Sequence, residues 1–156
     1  MKNKLIVVLL LFLSAIWIAG FSIFSFLPKD NSLQVLYPFL KISYGRVCHQ
    51  HLDKSFFIND SYFLVCSRCT GIYIGTFFGL LTLLLPLRRF FYSTFKYLVM
   101  FLLILVVDVL TNNFIFASYN KTTAFFTGYF FSFFAVYFVI FELKRNNFFH
   151  TSQREI

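Results

Sequence analysis

The sequence predicts an all-α fold: an integral membrane bundle of four transmembrane helices, with an extracytoplasmic loop that carries a short interfacial helix. Three observations carry that expectation. Four apolar runs of about 20 residues occur, each long enough to cross the ~30 Å hydrocarbon core as a helix. The chain is 59% hydrophobic and 13% charged, whereas globular domains are about half apolar and about a quarter charged. The basic residues stand at the ends of the apolar runs, where headgroup anchors and topology signals belong. At 156 residues the chain is read as one membrane domain, 1–156.

The first span covers about residues 5–27 and is closed by Pro28-Lys29-Asp30. Lys2 and Lys4 precede it, as they would a cleaved leader, but the run exceeds the roughly 7–15 apolar residues of a leader's core, and retention as an anchor is expected. The external loop, about 28–61, is too long for a simple connection. Within it the segment Leu33–Tyr44 is apolar but short, which suits an interfacial or re-entrant element interrupted by Pro38. The second span is placed at about 62–87 and closed by Arg88-Arg89, the third at about 97–116, and the fourth at about 123–143, closed by Lys144-Arg145.

With the N-terminus inside, the cytoplasmic side collects Lys2, Lys4, Arg88, Arg89, Lys96, Lys144, Arg145 and Arg154. The outer side holds Lys29, Lys41, Arg46, Lys54, Arg68 and Lys121, spread along a longer loop that also carries Asp30, Asp53 and Asp60. This asymmetry predicts a multi-pass protein of the cell (inner or cytoplasmic) membrane with both termini cytoplasmic. The net charge of +8 does not point to nucleic acid, since no basic stripe or nucleic-acid motif appears. The bilayer is the expected partner.

All three cysteines fall between Cys48 and Cys69, with His49 and His51 in the same stretch. Cys66-x-x-Cys69 is a spacing used by zinc thiolates and by redox dithiols. With Cys48 and an imidazole it completes a Cys3His set, His49 or His51 supplying the nitrogen. Cys48 and His49 are adjacent, which is awkward because neighbouring side chains diverge. A helix start near Cys66 and Cys69 would favour thiolates. Arg46, Lys54 and Arg68 would offset the charge of a three-thiolate centre, and they also suit an anionic substrate. The competing readings are thiol–disulfide chemistry or a structural disulfide, and inert packing of small thiols. On a regular helix Cys66 and Cys69 would hold their Cβ atoms ~5–6 Å apart, against the ~3.8 Å of a disulfide.

Gly71, Gly75 and Gly79 form a stripe in the second span that lets another helix approach closely, either within the chain or from a second copy or membrane partner. Asp108 is the acid deep in a span. Such groups face the bundle interior with a partner. Asp108 could pair with Arg68, bind the metal directly or relay protons, and Asn112 follows one turn on. An Asp108 that instead served an ion or proton path would make the chain a small transporter or channel subunit. No P-loop, HExxH or Ser-His-Asp order is present, so nucleotide-driven and hydrolase readings gain no support.

The residues Cys48-His49-Gln50, Lys54-Ser55, Cys66-Ser67-Arg68-Cys69-Thr70-Gly71-Ile72-Tyr73, the spaced Gly75 and Gly79, the pair Asp108 and Asn112, and Asn120 with Thr127-Gly128 resemble an uncharacterised family of small prokaryotic membrane proteins, classed as a domain of unknown function. Lys54 stands where the family has Arg, and Thr123-Ala124 replace the stretch in which the family carries a further Arg. The resemblance brings no established activity. It favours Cys48, His49, Cys66, Arg68, Cys69 and Asp108 over His51 as site residues. The expected function is an outward-facing metal centre, zinc first, with Cys48, His49, Cys66 and Cys69 as ligands and Arg68, Asp108, Asn112 and Lys54 supporting it or meeting a substrate.

Overall fold

The computed structural model describes residues 2–26, 35–84, 94–112 and 119–152. The closing residues Pro28-Lys29-Asp30, the Arg88-Arg89 pair, Arg154 and the span limits expected at 27, 85–87 and 113–116 lie outside the described residues, as do the side chains of Lys2, Lys4, Lys144 and Arg145.

The chain is mostly helical. Helix α1 runs Lys2–Ser22 and ends in a 3-10 turn over Ile23–Ser25. Helix α2, Tyr37–Gly45, occupies the expected interfacial segment. Pro38 stands in its first turn, where the missing N–H has no partner to lose, so it begins the helix instead of interrupting it. The helix is two-faced: Tyr44 is buried while Phe39 and Ile42 stay 68% and 65% exposed. A 3-10 turn at Leu52–Lys54 then leads into strand β1, Ser55–Ile58, and strand β2, Ser61–Cys66. Helices α3 (Ser67–Leu84), α4 (Thr94–Leu110) and α5 (Lys121–Ser152) complete the fold.

The β-hairpin corrects the second expected span, which does not begin as helix at Tyr62. Asn59 and Asp60 both take positive φ, 49° and 58°, at the centre of a two-residue turn. Asn and Asp tolerate this conformation, and it matches the twist of the flanking strands. The strands pair antiparallel, with Phe57 opposite Tyr62 and Ile58 opposite Ser61. The Phe57 and Tyr62 rings meet at 4.7 Å, a cross-strand aromatic contact that fixes the register. Asn59 also donates its side-chain amide to the Ser25 carbonyl at 3.0 Å, tying the hairpin to the end of α1.

Helix α5 lies between α3 and α4, and α1 packs on α3. The α3–α5 contact is made by glycine. A Cβ on Gly71 would strike the Phe125 carbonyl, one on Gly75 the Tyr129 carbonyl and the Ser132 hydroxyl, and one on Gly79 would press on Phe133 and Val136. Gly128 answers from α5, its Cα facing the Arg68 carbonyl. The stripe is therefore taken up, among the described residues, by a helix of the same chain. Close backbone approach lets dispersion hold two helices together where lipid supplies no hydrophobic drive.

Two helical segments are long and apolar enough to cross a membrane among the described residues, Leu5–Ser25 and Lys121–Ile140. Large apolar side chains point outward along the helices: Leu5 is 72% exposed, Phe12 64%, Leu103 61% and Val139 53%. In water such a surface would drive association, whereas in a bilayer it is solvated by lipid.

Candidate functional site

Sequence order brings one end of each long helix together. The end of α1, the start of α3, the end of α4 and the start of α5 meet on the side that carries α2 and the hairpin. Phe21 of α1 is the anchor, buried among Tyr44, Cys48, Leu64 and Val65. Its ring lies 5.8 Å from those of both Phe63 and Tyr73. Burying a Phe side chain contributes roughly 1.5–3 kcal/mol. Tyr44 donates its hydroxyl to the Trp17 carbonyl at 2.8 Å, which clamps α2 against α1. This packing closes over Cys48.

Three short devices aim the sulfurs at one another. After α2 the Cys48 N–H returns to the Tyr44 carbonyl at 2.9 Å, which turns the chain at the helix end. Gln50 then takes φ 50°, and its backbone N–H points back to the Cys48 sulfur. Cys66 is the last residue of β2 and Cys69 lies in the first turn of α3, so the strand-to-helix junction sets their separation. The Thr70 hydroxyl donates to the Cys66 carbonyl at 3.1 Å and holds that junction.

The outcome is three free thiols with their Sγ atoms all within 4.8 Å of one another. The Cys66 N–H donates to Cys48 Sγ at 3.2 Å, and the Cys69 N–H faces Cys66 Sγ. The Cys48 thiol is held well below the ordinary thiol range. The Cys66 and Cys69 thiols donate toward it, and the backbone N–H groups of Cys66 and Gln50 add to this, together outweighing its burial.

His49 and His51 are not part of this cluster. Both are exposed, and their rings lie parallel, with centroids 6.2 Å apart and an interplanar angle of 2°. Cys48 is buried, while His49 and His51, on either side of the left-handed Gln50, are exposed.

Below the sulfurs lies a second polar group. Arg68, between Cys66 and Cys69, donates Nη2 to Asp108 Oδ2 of α4 at 2.7 Å. Thr127 of α5 donates to the same oxygen at 3.3 Å, and the Asn112 amide donates to Oδ1 at 2.8 Å. The Asn112 side-chain oxygen in turn accepts the Asn120 N–H at 3.0 Å, which links the end of α4 to the cap of α5. Asp108 is thereby supplied with donors from three helices. Because Oδ1 serves Asn112, the carboxylate does not take both edges of the guanidinium, and Arg68 Nε is buried with no partner among the described residues.

Sequence reasoning missed Tyr119. Its hydroxyl lies 3.2 Å from Ser67 Oγ, and its ring receives Lys54 Nζ at 5.2 Å and the Arg68 guanidinium at 5.9 Å. Its position 52 residues beyond Ser67 gave no local signal.

Apolar helices with outward-facing aliphatic and aromatic side chains, capped at one end by a folded loop, define a membrane protein. The chain belongs to the family described as "Predicted membrane protein (DUF2085)", whose model matches residues 48–138. That stretch opens on Cys48 and takes in Cys66, Arg68, Cys69, Asp108 and Gly128. Similar relatives include an uncharacterised protein of Methanothermobacter thermautotrophicus, 44% identical over 43 residues, 27% of this chain and 39% of that one. Another is the uncharacterised protein MJ1492 of Methanocaldococcus jannaschii, 33% identical over 88 residues, 52% of this chain and 53% of its own. The chain spans about half the length of these relatives or less. No solved structure matches it.

Proposed function

We propose that this chain is a four-span membrane protein of the cell membrane that binds one metal ion, zinc by its donor chemistry, through Cys48, Cys66 and Cys69. One observation carries the reading: three reduced sulfurs within 4.8 Å of one another, drawn from a loop, a strand end and a helix start. Tetrahedral zinc with bonds of ~2.3 Å places its sulfurs ~3.8 Å apart, so a small inward adjustment suffices. Backbone N–H groups directed at Cys48 and Cys66 are the donors that thiolate ligands need.

Three thiolates leave a fourth position. His49, next to Cys48, would fill it by turning inward and give the Cys3His set. With His49 outward, water or a substrate atom takes the place, the arrangement of a catalytic rather than a structural zinc. Arg68 and Lys54 offset the net negative charge of the centre.

The site faces outward in this reading, supported by the sequence positions of Lys2, Lys4, Arg88, Arg89, Lys144 and Arg145 at the ends of the apolar runs away from the cysteines. Thiol–disulfide exchange among the same sulfurs is the second reading, favoured by the lowered Cys48 thiol. The transport reading loses ground, because Asp108 is already engaged by Arg68, Asn112 and Thr127.

Elemental analysis of purified protein, with a thiol titration before and after chelation, tests the proposal. One zinc per chain with thiols masked until chelation is expected. A folded, metal-free wild type with three titratable thiols ends the metal reading, and a cysteine pair that cycles at physiological poise then favours the redox one.

A further inference from the structure

The exposed histidines form an arrangement of their own. His49 and His51 stand on either side of Gln50, whose φ of 50° is left-handed, and both side chains are exposed. Their rings lie parallel, with centroids 6.2 Å apart. The backbone that presents them is fixed on every side. Gln50 between them is held by its positive φ and by its side-chain amide, which donates to the Lys41 carbonyl at 2.8 Å. The His51 carbonyl accepts the Lys54 N–H at 3.1 Å and the Ser55 hydroxyl at 3.0 Å. Cys48, the residue before His49, is turned the other way into the sulfur cluster.

We infer that His49 and His51 together form a second, solvent-facing site for a divalent transition-metal ion, from which the ion passes to the three sulfurs through Cys48. Imidazole nitrogens bind such an ion at ~2.0–2.1 Å, which puts each ring centroid ~3.2 Å from the metal and two centroids ~5–6.4 Å apart. The observed spacing is ~1 Å wider than tetrahedral coordination sets, so the parallel rings must turn toward each other to share one ion. Two nitrogens with water in the remaining positions hold an ion loosely. Thiolates hold the soft divalent ions more firmly, so exchange runs inward. His49 adjoins Cys48 in the chain, so an ion leaving His51 and then His49 would reach the sulfurs at Cys48, the thiols it meets releasing their protons and no electron being transferred.

The transfer step rests on the metal reading of the cysteines, whereas the histidine site stands without it. The experiment separates the two. Full-length protein in detergent is titrated with zinc, and with nickel as a probe that prefers nitrogen. Wild type should bind one tight zinc and one loose divalent ion per chain. Cys66→Ser should lose the tight equivalent and keep the loose one. His49→Ala and His51→Ala should each lose the loose equivalent, and His51→Ala should keep the tight zinc but load it more slowly from a weak chelator. Persistence of the loose equivalent in both histidine variants overturns the second site. Unchanged loading kinetics in His51→Ala overturns its role in transfer, and failure of wild type to take the tight zinc is read separately as failure of the cysteine site.

Discussion

The backbone N–H of Cys66 donates to the sulfur of Cys48 at 3.2 Å, joining a strand end to a loop 18 residues away. A main-chain donor cannot rotate away as a hydroxyl can, so this bond sets where negative charge is stabilised in the cluster. It also makes β2 part of the site, because the N–H is aimed by the strand's pairing with β1.

Replacement of any one sulfur should abolish tight zinc binding. Cys48→Ala, Cys66→Ala and Cys69→Ala are each expected to lose the zinc equivalent, measured by elemental analysis on protein that still elutes as a folded species. Retention of a full equivalent in any of the three would remove that residue from the ligand set.

The lowered Cys48 thiol predicts a pH profile. Because its pKa is depressed, the thiolate persists as pH falls. An unperturbed thiol near pKa 8.5 would slow about 80-fold in alkylation between about pH 8 and about pH 6. Metal-free protein treated with a small neutral alkylating reagent should show one thiol that slows far less, and Cys48→Ser should eliminate it. An ordinary profile at all three cysteines contradicts the prediction.

Asp108→Ala leaves Arg68 charged and unpaired beneath the site. Loss of one partner from a buried pair costs about 3–5 kcal/mol, whereas replacing both by apolar groups of similar volume is near neutral. Asp108→Leu combined with Arg68→Met should therefore recover most of the stability lost in Asp108→Ala. The measurement is thermal unfolding in detergent for the single and double variants, and equal losses in both would show that the pair is not coupled.

Gly75→Val places methyl groups against the Tyr129 carbonyl and the Ser132 hydroxyl. Overpacking of this kind costs about 1–3 kcal/mol, and the clash with backbone puts this position at the upper end. The expected outcome is lower stability with no change in oligomeric state by light scattering. A loss of oligomer without a loss of stability would show that the stripe serves another chain.

Asp53→Cys, at an exposed position of the loop, should react in intact cells with a membrane-impermeant maleimide, given the outward placement of the site. Labelling only after lysis inverts the orientation.

The sequence made the helices legible because an apolar run needs only length to be recognised, and it made the sulfur cluster legible because all three donors fall within one short stretch. The Arg68–Asp108 pair was legible only as one alternative, since a buried acid needs a partner but the sequence does not say whether that is a guanidinium, a metal or a proton path. The hairpin was lost because Tyr62–Val65 is as apolar as the helix that follows it, so hydropathy alone merged the two. The signal that separates them is Asn59-Asp60 standing between Phe56-Phe57-Ile58 and Tyr62-Phe63-Leu64. The outward turn of His49 was illegible for a different reason. It depends on the positive φ of Gln50, a residue type that carries no preference strong enough to announce it.

The short span from Cys48 to Cys69 has a consequence for how the molecule is made. Everything that presents a sulfur is synthesised before α4 and α5, while the partner of Arg68 arrives 40 residues later. During insertion the loop, hairpin and start of α3 can assemble against α1 at the membrane surface while the remaining helices are still unmade. An ion arriving at that stage would meet the sulfurs before Asp108 closes beneath them, so biosynthesis itself offers a window for loading the site.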